Sequence, residues 1–197
     1  DLTITSNGLT LGSTIAGTGV LSISPGAANV TVGIGSSSTG TLKLSDALLD
    51  SVKDKFASII IGRADGTAAM DLNYTAASFA YATPLTIRSL SGSFTASDTI
   101  DTTTNSFTLS TSGAISLKAI TASSLTVGSG AITLGGNVTT SGAQDYTGAV
   151  TLSGGARTLT GTTVTTSSTL AGGTNALTVT GNASFGGAIT GVTNLSV

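Results

Sequence analysis

The chain has 197 residues, of which only 8% are charged, with Lys+Arg 7 against Asp+Glu 9 and a net charge of -2; an ordinary soluble domain has about 25% charged residues. So sparse and balanced a charge gives no electrostatic footprint for phosphate backbones or anionic membranes, which argues against a nucleic-acid partner. His and Cys are both absent, which removes the commonest general base, the thiolate nucleophile and every zinc-ligand pattern, leaving carboxylate or lysine as the available chemistry.

Thr and Ser together make up about a third of the residues and Gly contributes 27, so hydroxyls rather than charges are expected to meet water. No apolar run reaches the ~18 residues of a transmembrane helix, and no transmembrane segment is expected. Aromatic residues are only 4%, with no Trp, whereas a membrane barrel carries aromatic girdles at both interfaces.

In chain order, short apolar-polar-apolar runs recur: LTI (2–4), LTL (9–11), LSI (21–23), VTV (30–32) and LKL (42–44). Each predicts a very short strand with one buried and one solvated side. The next segment, Ser45 to Phe56, breaks the pattern: Leu48, Leu49, Val52 and Phe56 fall at helical spacing while Asp50, Lys53 and Asp54 face away. It predicts a helical insertion over 46–56, with Ser45 or Asp46 as N-cap and Lys53 and Lys55 near its C-terminal end. Its apolar stripe is what docking on the outside of the chain's own core requires.

Strand runs then resume at LTI (85–87), ISL (115–117), LTV (125–127), ITL (132–134), VTL (150–152), LTV (177–179) and LSV (195–197). In the C-terminal half the inward-facing candidates are Val127, Leu134, Thr140, Tyr146, Leu152, Leu159, Val164, Leu170, Val179, Phe185 and Leu195. Most lie six or seven residues apart, too close for helical crossovers and too close for most hairpins. A coil whose successive strands lie on different faces needs only a tight corner between them. Three strands per coil make a rung of about 20 residues; Leu134 to Leu152 and Val179 to Val197 are each separated by 18. The expected fold is therefore all-β, one continuous parallel β-solenoid over 1–197, with an antiparallel sandwich as the alternative.

Two longer stretches carry a resemblance. GTLKLSDALLDSVKDKFASIIIGRADGTAAMDL (40–72) and GAQDYTGAVTLSGGARTLTGTTVTTSSTLAGGTNALTVTGNASFGGAITG (142–191) resemble the repeat regions of giant bacterial filamentous-haemagglutinin-like surface proteins. Lys55 stands where the family often has Gly, and the final VTNLSV is shorter than usual. The resemblance implies a right-handed parallel β-helix, export to the bacterial cell surface, and a role in adhesion, surface coating or filament formation. Flanking repeats, further copies of the chain and surface carbohydrate are the partners it implies.

Nine of the sixteen charges lie between Lys43 and Asp71. Asp65 in GRADG and the pair Asp98 and Asp101 in SDTID are the candidate metal or acid-base residues. A single Asp beside Gly is also what a turn needs, and two carboxylates three apart on an extended chain face opposite ways. No catalytic residue and no cofactor is expected, and the chain is read as a non-enzyme. Two other classes are weighed against it. A β-helical polysaccharide lyase or hydrolase needs carboxylates and bases clustered on one face, against nine Asp, no Glu and scattered bases here. A Thr-array face for carbohydrate or ice is suggested by Thr3/Thr5, Thr102/Thr104, Thr160/Thr162, Thr163/Thr165 and Thr178/Thr180, although their spacing along the chain is irregular. Both ends, DLTIT and TNLSV, read as mid-pattern strands, so the expectation is an internal segment of a longer chain.

Overall fold

Alternation of apolar and hydroxyl residues, interrupted every few residues by Gly, Ser or Asn, produces strands of mostly three to five residues joined by corners. In the computed structural model, which describes residues 1–75 and 78–197, every strand pair is parallel and the strands stack as the faces of a β-solenoid. From Ser58 onward three faces follow one another around each coil. The first includes Leu2–Thr5, Val20–Ser24, Ser58–Gly62, Leu85–Arg88, Phe107–Ser110, Leu125–Val127 and Ala143–Tyr146. The second runs from Leu42–Leu44 through Val32–Ile34, Met70–Leu72, Phe94–Ala96, Ile115–Leu117, Ile132–Leu134 and Val150–Leu152 to Ile189–Thr190. The third begins at Ser78–Ala80 and continues through Thr99–Asp101, Ile120–Ala122 and Val138–Thr140.

Two long strands, Arg157–Thr166 and Leu177–Phe185, pass round the corner between the third and first faces and join them into one 14-stranded sheet. At that corner Gly181 has φ +126, and a Cβ there would collide with the carbonyl of Gly161 in the coil beneath. At the corner between the first and second faces, a Cβ on Gly113, Gly130 or Gly148 would in each case meet the Gly carbonyl one coil below. Glycine recurs before the second-face strands because consecutive backbones approach too closely there for any side chain.

The inward residues form columns. One on the first face reads Leu21, Ile59, Leu85, Phe107, Leu125, Gln144, Val164, and each of these is buried. A polar residue fits this apolar column because its bonds are all made. Gln144 Nε2 donates to the Thr160 carbonyl at 2.7 Å, and its Oε1 accepts from the buried Tyr146 hydroxyl at 3.0 Å. Burial keeps the Tyr146 phenol protonated by pushing its pKa up.

Nine of the eleven inward positions expected in the C-terminal half are buried; Phe185 is half-buried and Leu195 is 41% exposed. The LTL run at 9–11 is not a strand, although Leu9 and Leu11 pack against the core. The VTV run gives a strand displaced by two residues, Val32–Ile34.

The helix is shorter than expected. α1 spans Asp46–Val52, with the Ser45 side chain accepting from Leu48 N–H at 3.3 Å. It stops because Lys53 turns extended (ψ 143) and Asp54 takes a left-handed φ of 58, so Lys55 and Phe56 lie beyond it. Leu48, Leu49, Val52 and Phe56 are nonetheless all buried, which docks the segment on the coil. Following the second-face strand Leu42–Leu44 and preceding the first-face strand Ser58–Gly62, α1 takes the place in its coil that a third-face strand has in later coils. The third face accordingly starts one coil later, at Ser78–Ala80.

Candidate functional site

The GRADG corner is a turn closed by Gly66 N–H donating to the Arg63 carbonyl at 3.2 Å. Asp65 accepts from Arg63 Nε and Nη2, both at 2.8 Å. That two-pronged hydrogen bond lowers the Asp65 carboxyl below its ordinary range and raises the Arg63 guanidinium. Asp65 is thus spent on its own corner.

Asp98 and Asp101 also serve the backbone. Asp98 Oδ2 accepts from Tyr74 N–H at 2.5 Å, in the adjacent coil 24 residues earlier, and Asp101 Oδ1 accepts from Thr103 N–H at 2.7 Å, where Thr103 holds a left-handed φ of 53. Each caps a different segment. Among the described residues no group of three or more carboxylates gathers in a way that suits a metal ion.

Charge concentrates instead around α1. Asp46 accepts from Ser36 N–H at 2.6 Å through Oδ1 and from Thr75 N–H at 3.0 Å through Oδ2. Partial burial pushes its pKa up, but the Ser36 and Thr75 hydrogen bonds together outweigh that and hold the carboxyl below its ordinary value. Asp54 Oδ1 accepts from Ala82 N–H at 2.7 Å. Asp50 pairs with Lys53 at 2.9 Å and accepts from the Tyr74 hydroxyl at 2.7 Å. Burial first, and Asp50 second, raise the pKa of Tyr74. Beneath the helix, Phe79 stacks on Tyr81 and meets Tyr74 edge-to-face, and the Tyr81 hydroxyl donates to the Leu49 carbonyl at 2.9 Å. The amphipathic pattern alone identified this helix, but nothing in the pattern specified that its carboxylates would grip backbone N–H groups on neighbouring segments.

The outward side chains also form columns. On the third face Thr121, Thr139, Thr160 and Thr180 stack in register over four coils. On the first face Thr86, Thr108 and Thr126 are followed by Asp145 and Thr165. The second presents Thr95, Ser116, Thr133 and Thr151. Irregular spacing along the chain therefore coexists with regular spacing in space, because the corners absorb the difference. Thr178/Thr180 and Thr163/Thr165 lie on such faces, whereas Thr102 is buried and donates to the Asn105 carbonyl at 2.7 Å inside a turn. Between the first and second faces a shallow groove of about 400 Å³ runs past Leu90, Ser110, Ser129 and Thr147. Leu90, 58% exposed, stands at its edge.

Comparison with protein-family models, curated proteins and solved structures found no match.

Proposed function

We propose that this β-solenoid is a structural or adhesive segment of a secreted bacterial cell-surface protein, acting as a stalk or as part of an extracellular filament. The observation that carries the reading is the distribution of side chains. Hydroxyl columns, broken by single carboxylates at Asp145, Asp101 and Asp71, run along the three faces in register, while Asp65, Asp98 and Asp101 accept from Arg63 or from backbone N–H groups. A coil of this kind acts by length and by lateral contact, since each rung touches only its neighbours and sparse charge leaves little repulsion between adjacent coils. The resemblance of residues 40–72 and 142–191 to filamentous-haemagglutinin-like repeats supports the same assignment. Electron microscopy of the protein as isolated from its cells, together with the sequence of its full gene, tests it. Rods or fibres one coil wide are expected; discrete short monomers at high concentration, from a gene encoding these residues alone, would refute it.

A second reading, a Thr-array face for carbohydrate or ice, is favoured by the in-register column Thr121, Thr139, Thr160 and Thr180. It predicts thermal hysteresis or retention on a neutral glycan array that Thr139→Lys abolishes. If neither activity occurs in the parent protein, this reading fails while the stalk assignment stands.

A further inference from the structure

The third face has an edge inside the chain. Ser78–Ala80 pairs with Thr99–Asp101 on one side, and on the other no strand among the described residues continues the ladder, α1 standing in the strand position. In a parallel strand the N–H groups of alternate residues point to opposite neighbours. Tyr81 N–H donates to the Asp101 carbonyl at 2.7 Å, so the N–H groups of Ala80 and Ala82 point toward the helix. Ala82 is met there by Asp54 at 2.7 Å. On the other flank Thr75, which lies outside the Ser78–Ala80 strand, has its N–H met by Asp46 at 3.0 Å, and the Tyr81 hydroxyl ties the Leu49 carbonyl. Carboxylates at the two ends of one short helical segment thus hold backbone donors on either side of the strand and pin the segment across its edge.

We propose that α1 is an edge lock: held by Asp46 and Asp54, it prevents the Ser78–Ala80 strand from adding, as a further parallel strand, an extended segment of a second copy of this chain. The partner is a second copy because the edge is built for it. Its neighbours on the same face, Thr99–Asp101, Ile120–Ala122 and Val138–Thr140, already pair in parallel with aligned inward apolar residues, Phe79, Ile100, Ile120 and Val138. Any strand of that pattern continues the ladder, and an uncovered edge presenting unpaired N–H and C=O groups is a template for such addition. The inference does not depend on whether the coil serves as a stalk or as a Thr-array face.

Asp46→Ala combined with Asp54→Ala in the full chain tests it. Hydrogen exchange should accelerate about tenfold or more over residues 46–57, and sedimentation velocity should show concentration-dependent dimers or larger species beyond those of the parent protein. Adding Ala80→Pro removes the Ala80 backbone donor, which faces the helix, without touching the Thr99–Asp101 pairing, and should return the parent's sedimentation profile. If circular dichroism shows that the double variant does not fold, Tyr81→Phe, which removes only the bond to the Leu49 carbonyl, provides the milder release. Unchanged exchange over 46–57 would show that the carboxylates are not the latch. Accelerated exchange without new association, or association that survives Ala80→Pro, would overturn the lock.

Discussion

The pair Gln144 and Tyr146 offers a sharp test of how this core tolerates polarity. Both side chains are fully buried, joined by a 3.0 Å hydrogen bond from the Tyr146 hydroxyl to Gln144 Oε1, and the Gln144 amide donates to the Thr160 carbonyl at 2.7 Å. Tyr146→Phe leaves Oε1 buried without its donor and should cost about 1–3 kcal/mol, the penalty for one unsatisfied buried group. Gln144→Leu, similar in volume, strands the Tyr146 hydroxyl and should cost about the same, less a little for the apolar side chain gained. The double variant has an apolar pair where the polar pair was, so only the lost contacts of the Gln144 amide, to the Thr160 and Val138 carbonyls and the Thr140 hydroxyl, remain. It should be less destabilised than the sum of the single variants by about 1–3 kcal/mol. Urea unfolding followed by circular dichroism, with the four proteins measured side by side, gives the coupling energy. Additivity within about 0.5 kcal/mol would show that the two groups act independently and refute the network.

Four further outcomes follow from particular contacts. Leu49→Asp places a charge in the fully buried seat beneath α1 and should destabilise by about 2–5 kcal/mol in the same urea assay; an effect within error would show that the helix is not docked. Gly130→Ala drives a Cβ into the Gly113 carbonyl and should cost about 1–3 kcal/mol in a thermal melt, whereas Gly8→Ala, with nothing within 4 Å, should change stability by less than about 0.5 kcal/mol. Thr166 Oγ1 is, among the described residues, a buried hydroxyl without a hydrogen-bond partner, so the isosteric Thr166→Val should stabilise by about 1 kcal/mol, and destabilisation would mean that the hydroxyl is satisfied in solution. Because the folded Asp46 carboxyl lies below its ordinary value of 3.8, its contribution is complete above that value and is lost as pH falls through the lower folded value. Hydrogen-exchange protection of α1 should therefore hold down to about pH 4 and then decline, with Asp46→Asn removing the carboxylate's share of that decline; an identical acid profile in the variant would refute it.

Much of the fold is legible in the chain because the solenoid repeats one physical solution. LKL, ISL, LTV at 125–127, ITL and VTL coincide with strands residue for residue, since alternation is what a half-buried strand requires. What escaped the pattern has identifiable causes. Gln144 looks like a surface residue by type, and only the Tyr146 hydroxyl and the Thr160 carbonyl, brought together by the coil, make it a core residue. Helical periodicity placed α1 but overran its end, because the left-handed turn at Asp54 depends on the Ala82 N–H that its carboxylate meets across the coil. Asp65, Asp98 and Asp101 drew attention as carboxylates in a carboxylate-poor chain. Their roles as turn and backbone acceptors became visible only with their partners Arg63, Tyr74 and Thr103 in place.

The same distinction between sequence spacing and spatial register bears on where function can reside. Ile115 stacks on Ile132, 17 residues on, whereas Ile59 stacks on Leu85, 26 residues on. Each pair nevertheless keeps in register within its own inward column, the first on the second face and the other on the first face, because additional residues are taken up in corners, where loop length costs little. Thr108, Thr126, Thr139 and Thr160 likewise keep their column places across coils of unequal length. Uneven intervals between Thr pairs are therefore no argument against an ordered hydroxyl face. A substitution within a column changes a surface repeated along the axis, while an insertion at a corner changes only local relief, as the GRADG turn beside Leu90 does. A contact made through the faces would be lost with Thr139→Lys and retained when a residue is inserted at the exposed Ser129 corner. A contact made through the groove would show the reverse, so the pair of variants separates the two surfaces in a single binding experiment.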